Sequence, residues 1–387
     1  MLRSSSSTSS SEHARSRALY SRDRLRRRIL SIGLWTIGAL ILIDTTVGFA
    51  FRLPVDSQRP SSTLQRYFDY GRSIEGKLRR EVGSTPEQDA PIVEAGWLAK
   101  KCDIATSTPP GKLAFDIYGM SFSDRIANQM VRLDPGLASQ GFGGPEAPPN
   151  HSYACFVRRD DAKRDRASIQ VLGILASSIP RMETISGLTT SFEAPQPFTY
   201  PRYSLTSDAH LVGYSSSIPT QEDLRAALAN PIKWRAFVDE LATHDYFYAQ
   251  PIFKTDIFDH SVLARMIRRA WGQRVSRVRT AALRAADGYS GAPEIAPVLR
   301  AMLIDFANRA RTAGERPIVI LIEDRGYGGT LSAIASPTLR AHHIDFINTS
   351  AIVSPTDTSN FLSDGHFIPA VDEKIARAML DLLGRVP

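Results

Sequence analysis

The sequence predicts an α/β protein: a three-layer α/β/α sandwich on a parallel sheet, preceded by one membrane-spanning helix. Two observations predict it. From residue 113 onward, short apolar runs alternate with amphipathic helical patterns, as in strands joined by crossover helices. Ahead of that body, Ile29 to Phe51 read ILSIGLWTIGALILIDTTVGFAF, 23 residues with a single charge, Asp44.

Residues 1–28 are expected to form a disordered basic cytoplasmic tail; it begins with a tract of seven Ser and one Thr over residues 4–11 that has nothing apolar to bury. The basic cluster Arg22 to Arg28 follows, then the apolar run. At about 1.5 Å per residue, a helix of that length crosses a hydrocarbon core roughly 30 Å thick. Arginines on its N-terminal side place the N-terminus in the cytoplasm and the rest outside. A signal-anchor is therefore expected, single-pass in the inner membrane, with the main domain periplasmic. A cleaved signal peptide fits less well, because the run is long and lacks a clean small-x-small site. Asp44 falls in the outer third of the span, where a charge costs less than at the centre.

The net charge of +7 is confined to this tail. Residues 1–28 hold eight Arg against two acids, and the remaining 359 residues carry 39 basic and 38 acidic groups. A near-neutral body gives no basic footprint for nucleic acid. A hydrophobic content of 43% excludes overall disorder. Two cysteines exclude a disulfide-scaffolded miniprotein and a four-thiolate zinc site. Outside the cytoplasm, Cys102 and Cys155 are candidates for a bridge, with two buried free thiols as the alternative.

Residues 52–110 hold six prolines and read as a linker and entry region, with one helix expected over Ser62–Glu81. In the body, 111–387, strands are expected at Leu113–Tyr118, Ser168–Leu175, Pro317–Ile322 and Asp345–Thr349. PIVILI is almost wholly apolar, as in the middle of a parallel sheet. Helices are expected at Ser123–Leu133, Pro297–Ala313 and Val371–Leu383, and one ending at Leu339–His343. Residues 180–295 read as a large insertion, a lid or substrate wall.

Two constellations carry chemistry. Gly119-Met120-Ser121-Phe122 follows the first strand and opens a helix. A serine there has an exposed hydroxyl next to free backbone N–H groups able to hold an oxyanion. The competing role is helix capping by Ser121 or Ser123. Ser363-Asp364-Gly365-His366 precedes the last helix, and an Asp two residues before a His orients the imidazole as general base. The competing role is a surface turn. Other groupings are weaker. His342-His343-Ile344-Asp345 lacks a third ligand, so no metal or other cofactor is expected. Gly326-Tyr327-Gly328-Gly329 lacks the Lys-Ser/Thr of a phosphate loop. Asp256, Asp259 and His260 read as a solvated helix start. Tyr200, Tyr203 and Tyr246-Phe247-Tyr248 read as core aromatics, with sugar stacking as the alternative.

Together, a Gly-x-Ser-Phe after the first strand and an Asp-Gly-His before the last helix resemble the first and last blocks of the SGNH/GDSL hydrolases. The resemblance covers roughly residues 113–178 and 315–385. It implies a flavodoxin-like sheet, with Ser121 as nucleophile, His366 as base and Asp364 as the residue that orients it. It also implies Gly144, in Gly141-Phe142-Gly143-Gly144-Pro145, as an oxyanion donor. The sequence departs from the pattern at Met120, where the family has Asp, and at Leu175, where it has an oxyanion-binding Asn. One residue rather than two separates Asp364 from His366, a spacing found in the exopolysaccharide-acetylating branch. Asn150 is the candidate substitute for the missing Asn, with a helix cap as its other reading. The function so implied is an esterase or O-acyltransferase acting on an acyl ester, possible substrates including a cell-envelope glycan. The alternative is a catalytically impaired binding module for a glycan or envelope partner.

Overall fold

A computed structural model describes residues 9–54, 61–82, 96–104, 109–162, 167–284, 289 and 294–385. The described residues fall into two compact units. One comprises residues up to Gly71 together with Ile257–Ile267; the other comprises Arg72–Asp256 and the residues from Arg268 onward.

The first unit is built on a 42-residue helix, Ser9–Ala50. Its segment Arg26–Ala50 is long and apolar enough to cross a membrane and is not buried against protein. The helix runs back through the basic stretch to Ser9, where a disordered tail was expected. Residues 9–32 contain neither Gly nor Pro, and Arg, Leu, Ala and Glu are good helix formers. Residues 4–8 of the serine tract lie outside the described residues. The single helix expected over Ser62–Glu81 is instead two, Thr63–Asp69 and Ile74–Val82. The first opens with a full capping box between Ser62 and Gln65. The break has a steric cause: a Cβ on Gly71 would lie 1.8 Å from the Arg265 carbonyl oxygen, so backbone packs on backbone there.

The second unit holds a five-stranded parallel sheet of order β2-β1-β3-β6-β7. Its strands are β1 Leu113–Tyr118, β2 Leu137–Phe142, β3 Ile169–Leu175, β6 Arg316–Ile322 and β7 Asp345–Asn348. Between β3 and β6 lies an antiparallel hairpin, β4 Arg202–Leu205 with β5 Leu211–Tyr214, which the sequence did not disclose. Counting only the five sheet strands, the order is 2-1-3-4-5, that of a doubly wound sheet.

Alternation along the strands builds two cores. Phe115, Ile117, Val171, Ile318 and Ile320 face one way, against Ile126 and Met130 of helix Ser121–Leu133 and Ile375 and Met379 of helix Pro369–Leu382. Tyr118, Leu172, Ile174, Val319 and Leu321 face the other. There they meet Phe156 of helix Pro149–Asp161, Leu299, Met302, Leu303 and Phe306 of helix Ile295–Thr312, and Leu339 of helix Thr330–Ala341. Each fully buried side chain of this size stabilises the fold by about 1.5–3 kcal/mol. With helices on both faces, the layers are α/β/α.

A third core corrects two expectations. Ile74, Leu78 and Trp97 pack with Ile185, Leu188, Phe198, Tyr200, Trp234 and Phe237. The described part of 72–104 is therefore structural body rather than linker. The described part of 180–256 shares this core, in which Tyr200 is 2% exposed. Asp259 is buried rather than solvated, and Asp256 pairs with Arg268. Cys102 and Cys155 form a disulfide, with Cα atoms 5.4 Å apart.

Two expected outcomes follow. Replacing both cysteines with Ser should lower the unfolding free energy by about 4 kcal/mol, the chain-entropy value for a loop closed across 53 residues; an unchanged urea midpoint would show that the bridge is dispensable. The Asp245 carboxyl, held by the Thr189 hydroxyl and the Phe247 N–H, is pushed up to about 7 by burial. Its folded pKa exceeds its unfolded one, so its contribution to stability is greatest at low pH and declines as pH rises from about 4 to 7. Asp245→Asn should flatten that part of the stability–pH curve.

Candidate active site

The parallel sheet sends the ends of β1 and β7 to the same edge, where chemistry is expected in such folds. Met120 forms the N-cap of the helix after β1 and Ser121 is its first residue. Neither capping role proposed for Ser121 or Ser123 is used. Ser121 is exposed, and its Oγ lies 2.6 Å from Nε2 of His366, across 245 residues of sequence. With the imidazole proton on Nδ1, Nε2 accepts from the serine hydroxyl.

His366 is aimed by its turn. Gly365 has φ +90°, a conformation suited to glycine, and the Leu362 N–H donates to the His366 carbonyl at 2.7 Å. An antiparallel bridge between Phe361 and Phe367 closes the loop. Asp364 Oδ1 accepts the His366 backbone N–H at 3.1 Å, while Oδ2 stands 3.2 Å from Nδ1. That second contact is close but not aligned as a hydrogen bond. The backbone N–H, with help from the imidazole and the more distant Arg125, holds the Asp364 carboxyl below the usual carboxylate range. The structure thus brings Ser121, His366 and Asp364 together.

Three contributors escaped sequence reasoning. Phe122 stacks on the imidazole, centroids 4.7 Å apart, and meets Phe367 edge-on. Arg125, one turn after Ser121, donates to Asp372 at 2.7 and 2.9 Å and to the Phe367 carbonyl at 2.7 Å. It ties the helix of Ser121 to the residue after His366. The third is a void. A Cβ on Gly119 or on Gly173 would lie 2.1 or 2.0 Å from the Ser123 hydroxyl, so both glycines make room for that buried serine. The Gly of Gly-x-Ser was a visible signal; the need for Gly173, in another strand, was not.

The oxyanion side is less complete. Gly144 lies in the turn after β2, two residues beyond Phe142, which pairs with Tyr118 of β1. It packs against Gly96 and His151, where a Cβ would come within 2.8 and 3.3 Å. Asn150 does not replace the missing side-chain donor. It is fully buried in helix Pro149–Asp161, and its Nδ2 donates to the Met182 carbonyl at 3.0 Å. It is not a cap either, since Pro148 holds that position. After Leu175, Ser178 Oγ donates to the Leu175 carbonyl, and the Ser177 N–H and side chain bond Asp324. Burial pushes Asp324 and its neighbour Glu323 upward, and both are held by backbone N–H groups, Glu323 by that of Ser332.

Arg125→Met should cost about 1–3 kcal/mol in urea unfolding, because it leaves the buried Asp372 without its cation. It should also slow modification of Ser121 by a fluorophosphonate, with Arg125→Lys intermediate. Loss of stability without any change in labelling rate would limit Arg125 to a structural role.

Compared with protein-family models, curated proteins and solved structures, the chain finds no match in any of the three.

Proposed function

We propose that this chain is a membrane-anchored, extracytoplasmic serine esterase or O-acyltransferase of SGNH type. The observation that carries the reading is the 2.6 Å contact between Ser121 Oγ and His366 Nε2, with Asp364 on the far side of the ring. Nucleophile, base and orienting carboxylate in that order can activate a hydroxyl. Ser121 attacks the acyl carbonyl as His366 takes its proton. The Ser121 and Gly144 N–H groups are the proposed oxyanion donors. His366 then returns the proton to the leaving alkoxide. Water or a second hydroxyl next attacks the acyl-serine, which makes the outcome hydrolysis or transfer.

The Arg-rich flank of the apolar helix supports a cytoplasmic N-terminus. The Cys102–Cys155 bridge supports an oxidising compartment for the body, in keeping with a periplasmic location. O-acylated cell-envelope glycan is the substrate class that this compartment and the family resemblance favour.

One observation favours a second reading, a binding module on the same fold: the side-chain oxyanion donor is replaced by Leu175, and Asn150 is bound elsewhere. Losing one such donor costs about 10²–10³ in rate. Fluorophosphonate labelling of the full chain separates the two. The enzyme reading expects covalent labelling that Ser121→Ala abolishes and His366→Ala reduces by at least about 10²-fold. Absence of both labelling and ester hydrolysis would leave the binding module.

A further inference from the structure

The charge in the apolar helix has a partner. Asp44 Oδ1 accepts the Ser261 hydroxyl at 3.0 Å and the Leu263 backbone N–H at 2.8 Å. Leu263 is the second residue of helix Val262–Leu283, so Asp44 satisfies one of the N–H groups that a helix start leaves open. Four residues on, a Cβ at Gly48 would meet the Val262 side chain at 3.4 Å, so that side chain packs against the long helix there. All of these residues belong to the same compact unit.

These contacts fix a depth. Asp44 lies six residues before the end of the long helix at Ala50, about 9 Å along its axis. The apolar run continues beyond it to Phe51. A segment hydrogen-bonded to Asp44 and packed at Gly48 stands alongside the apolar run, not beyond it. The outward side chains of that segment agree. Ile257 is 78% exposed, Ile267 72% and Phe258 54%, and the remaining exposed positions of 257–267 are Met266 and His260. The charges of the segment turn inward: Asp259 is buried, and Arg265 is paired with Asp69 at 2.9 Å. Water-facing apolar side chains of this size, with their charged neighbours withdrawn, are the pattern of an interfacial element whose apolar face sinks about 5–10 Å into the headgroup–acyl boundary.

We propose that Ile257–Ile267 is a second membrane contact, a monotopic wedge held at its depth by Asp44, with Ile257, Phe258 and Ile267 inserted among the outer-leaflet acyl chains of the same membrane. The inference rests on the reading of the long helix as an anchor. Its occupant is lipid, because the patch is continuous with the lipid-facing helix that sets its height.

The described cysteines are both consumed in the disulfide, so one introduced cysteine reports on a single site. Full-length protein carrying Ile257→Cys, Ile267→Cys or, as a marker of the span, Trp35→Cys is labelled with an environment-sensitive fluorophore. It is reconstituted in phosphatidylethanolamine/phosphatidylglycerol vesicles with and without lipids bearing a quencher on the acyl chain. Quenching at all three positions, with Ile257 and Ile267 shallower than Trp35, is the expected result. Adding Asp44→Ala to the Ile267→Cys protein should weaken its lipid quenching. Quenching at Trp35 alone, with iodide in water reaching Ile257 and Ile267, would overturn the wedge and leave the anchor intact. Shielding of those sites from both quenchers would place protein on the patch and equally overturn it. No quenching at Trp35 would remove the anchor, and the wedge with it.

Discussion

The Ser121–His366 contact depends on the packing of the last helix against the helix that follows β1. In the order β2-β1-β3-β6-β7, two strands separate β1 from β7. At about 4.8 Å per strand, the chain leaving β7 starts roughly 14 Å from the end of β1. An imidazole has no reach to cover that distance, so the loop after β7 must travel back over the strand ends. Helix Pro369–Leu382 does not stay beside its own strand alone: it packs against helix Ser121–Leu133, sharing one core with β1, β3 and β6. Arg125 locks that arrangement at its upper end, holding Asp372 and the Phe367 carbonyl from the same turn of helix that presents Ser121. The geometry of the serine–histidine pair is thus a consequence of apolar packing between helices whose sequences lie some 250 residues apart.

This explains which features the sequence discloses. β3 and β6 are covered on both faces, so nearly every residue in them is apolar and they stand out. β2 lies at the sheet edge with four of its six residues half-exposed, and LASQGF carries no comparable signal. Ser121 and His366 were legible because the proposed reaction dictates residue type and local spacing. Arg125 and Phe122 were not, because an Arg on a helix and a Phe after a serine have many ordinary uses. Their meaning comes from Asp372 and the His366 ring, both distant in sequence. Gly173 is similar: as a strand residue it reads as a weak spot, whereas in space it is the clearance for Ser123. Over the described part of 72–104 the linker expectation is corrected for a related reason, since proline content marks breaks in regular structure and says nothing about whether Trp97 is buried.

Asp44 shows how one residue changes meaning once a partner is known. In the sequence it is a blemish in an apolar run, tolerable because it lies toward the end of the span. In the structure its carboxylate accepts a hydroxyl and a helix-start N–H, so the charge is met by two donors. A carboxylate among apolar residues is costly when bare and much less so when hydrogen-bonded. The bonds also couple the long helix to a segment more than 200 residues later, which no local pattern announces.

The oxyanion side bears most directly on what the site can do. The oxyanion hole that the resemblance to SGNH/GDSL hydrolases implies combines backbone donors with one Asn. Here Leu175, the last residue of β3, stands at that position, and three polar side chains around it are engaged, Asn150 by Met182, Ser178 by Leu175 and Ser177 by Asp324. Backbone N–H groups are fixed by the fold and cost no reorganisation as charge develops, so they retain much of the stabilisation. In the proposed reaction, attack by Ser121 and collapse of the tetrahedral adduct would nevertheless need the same donors twice, once for each half of the acyl transfer. On that proposal, a weakened oxyanion hole would lower turnover while leaving the Ser121–His366 pair intact, because that bond and the stacked Phe122 ring do not depend on it. Under the proposed function, such a site would favour activated or tightly held acyl donors, whose binding energy can compensate for the missing donor.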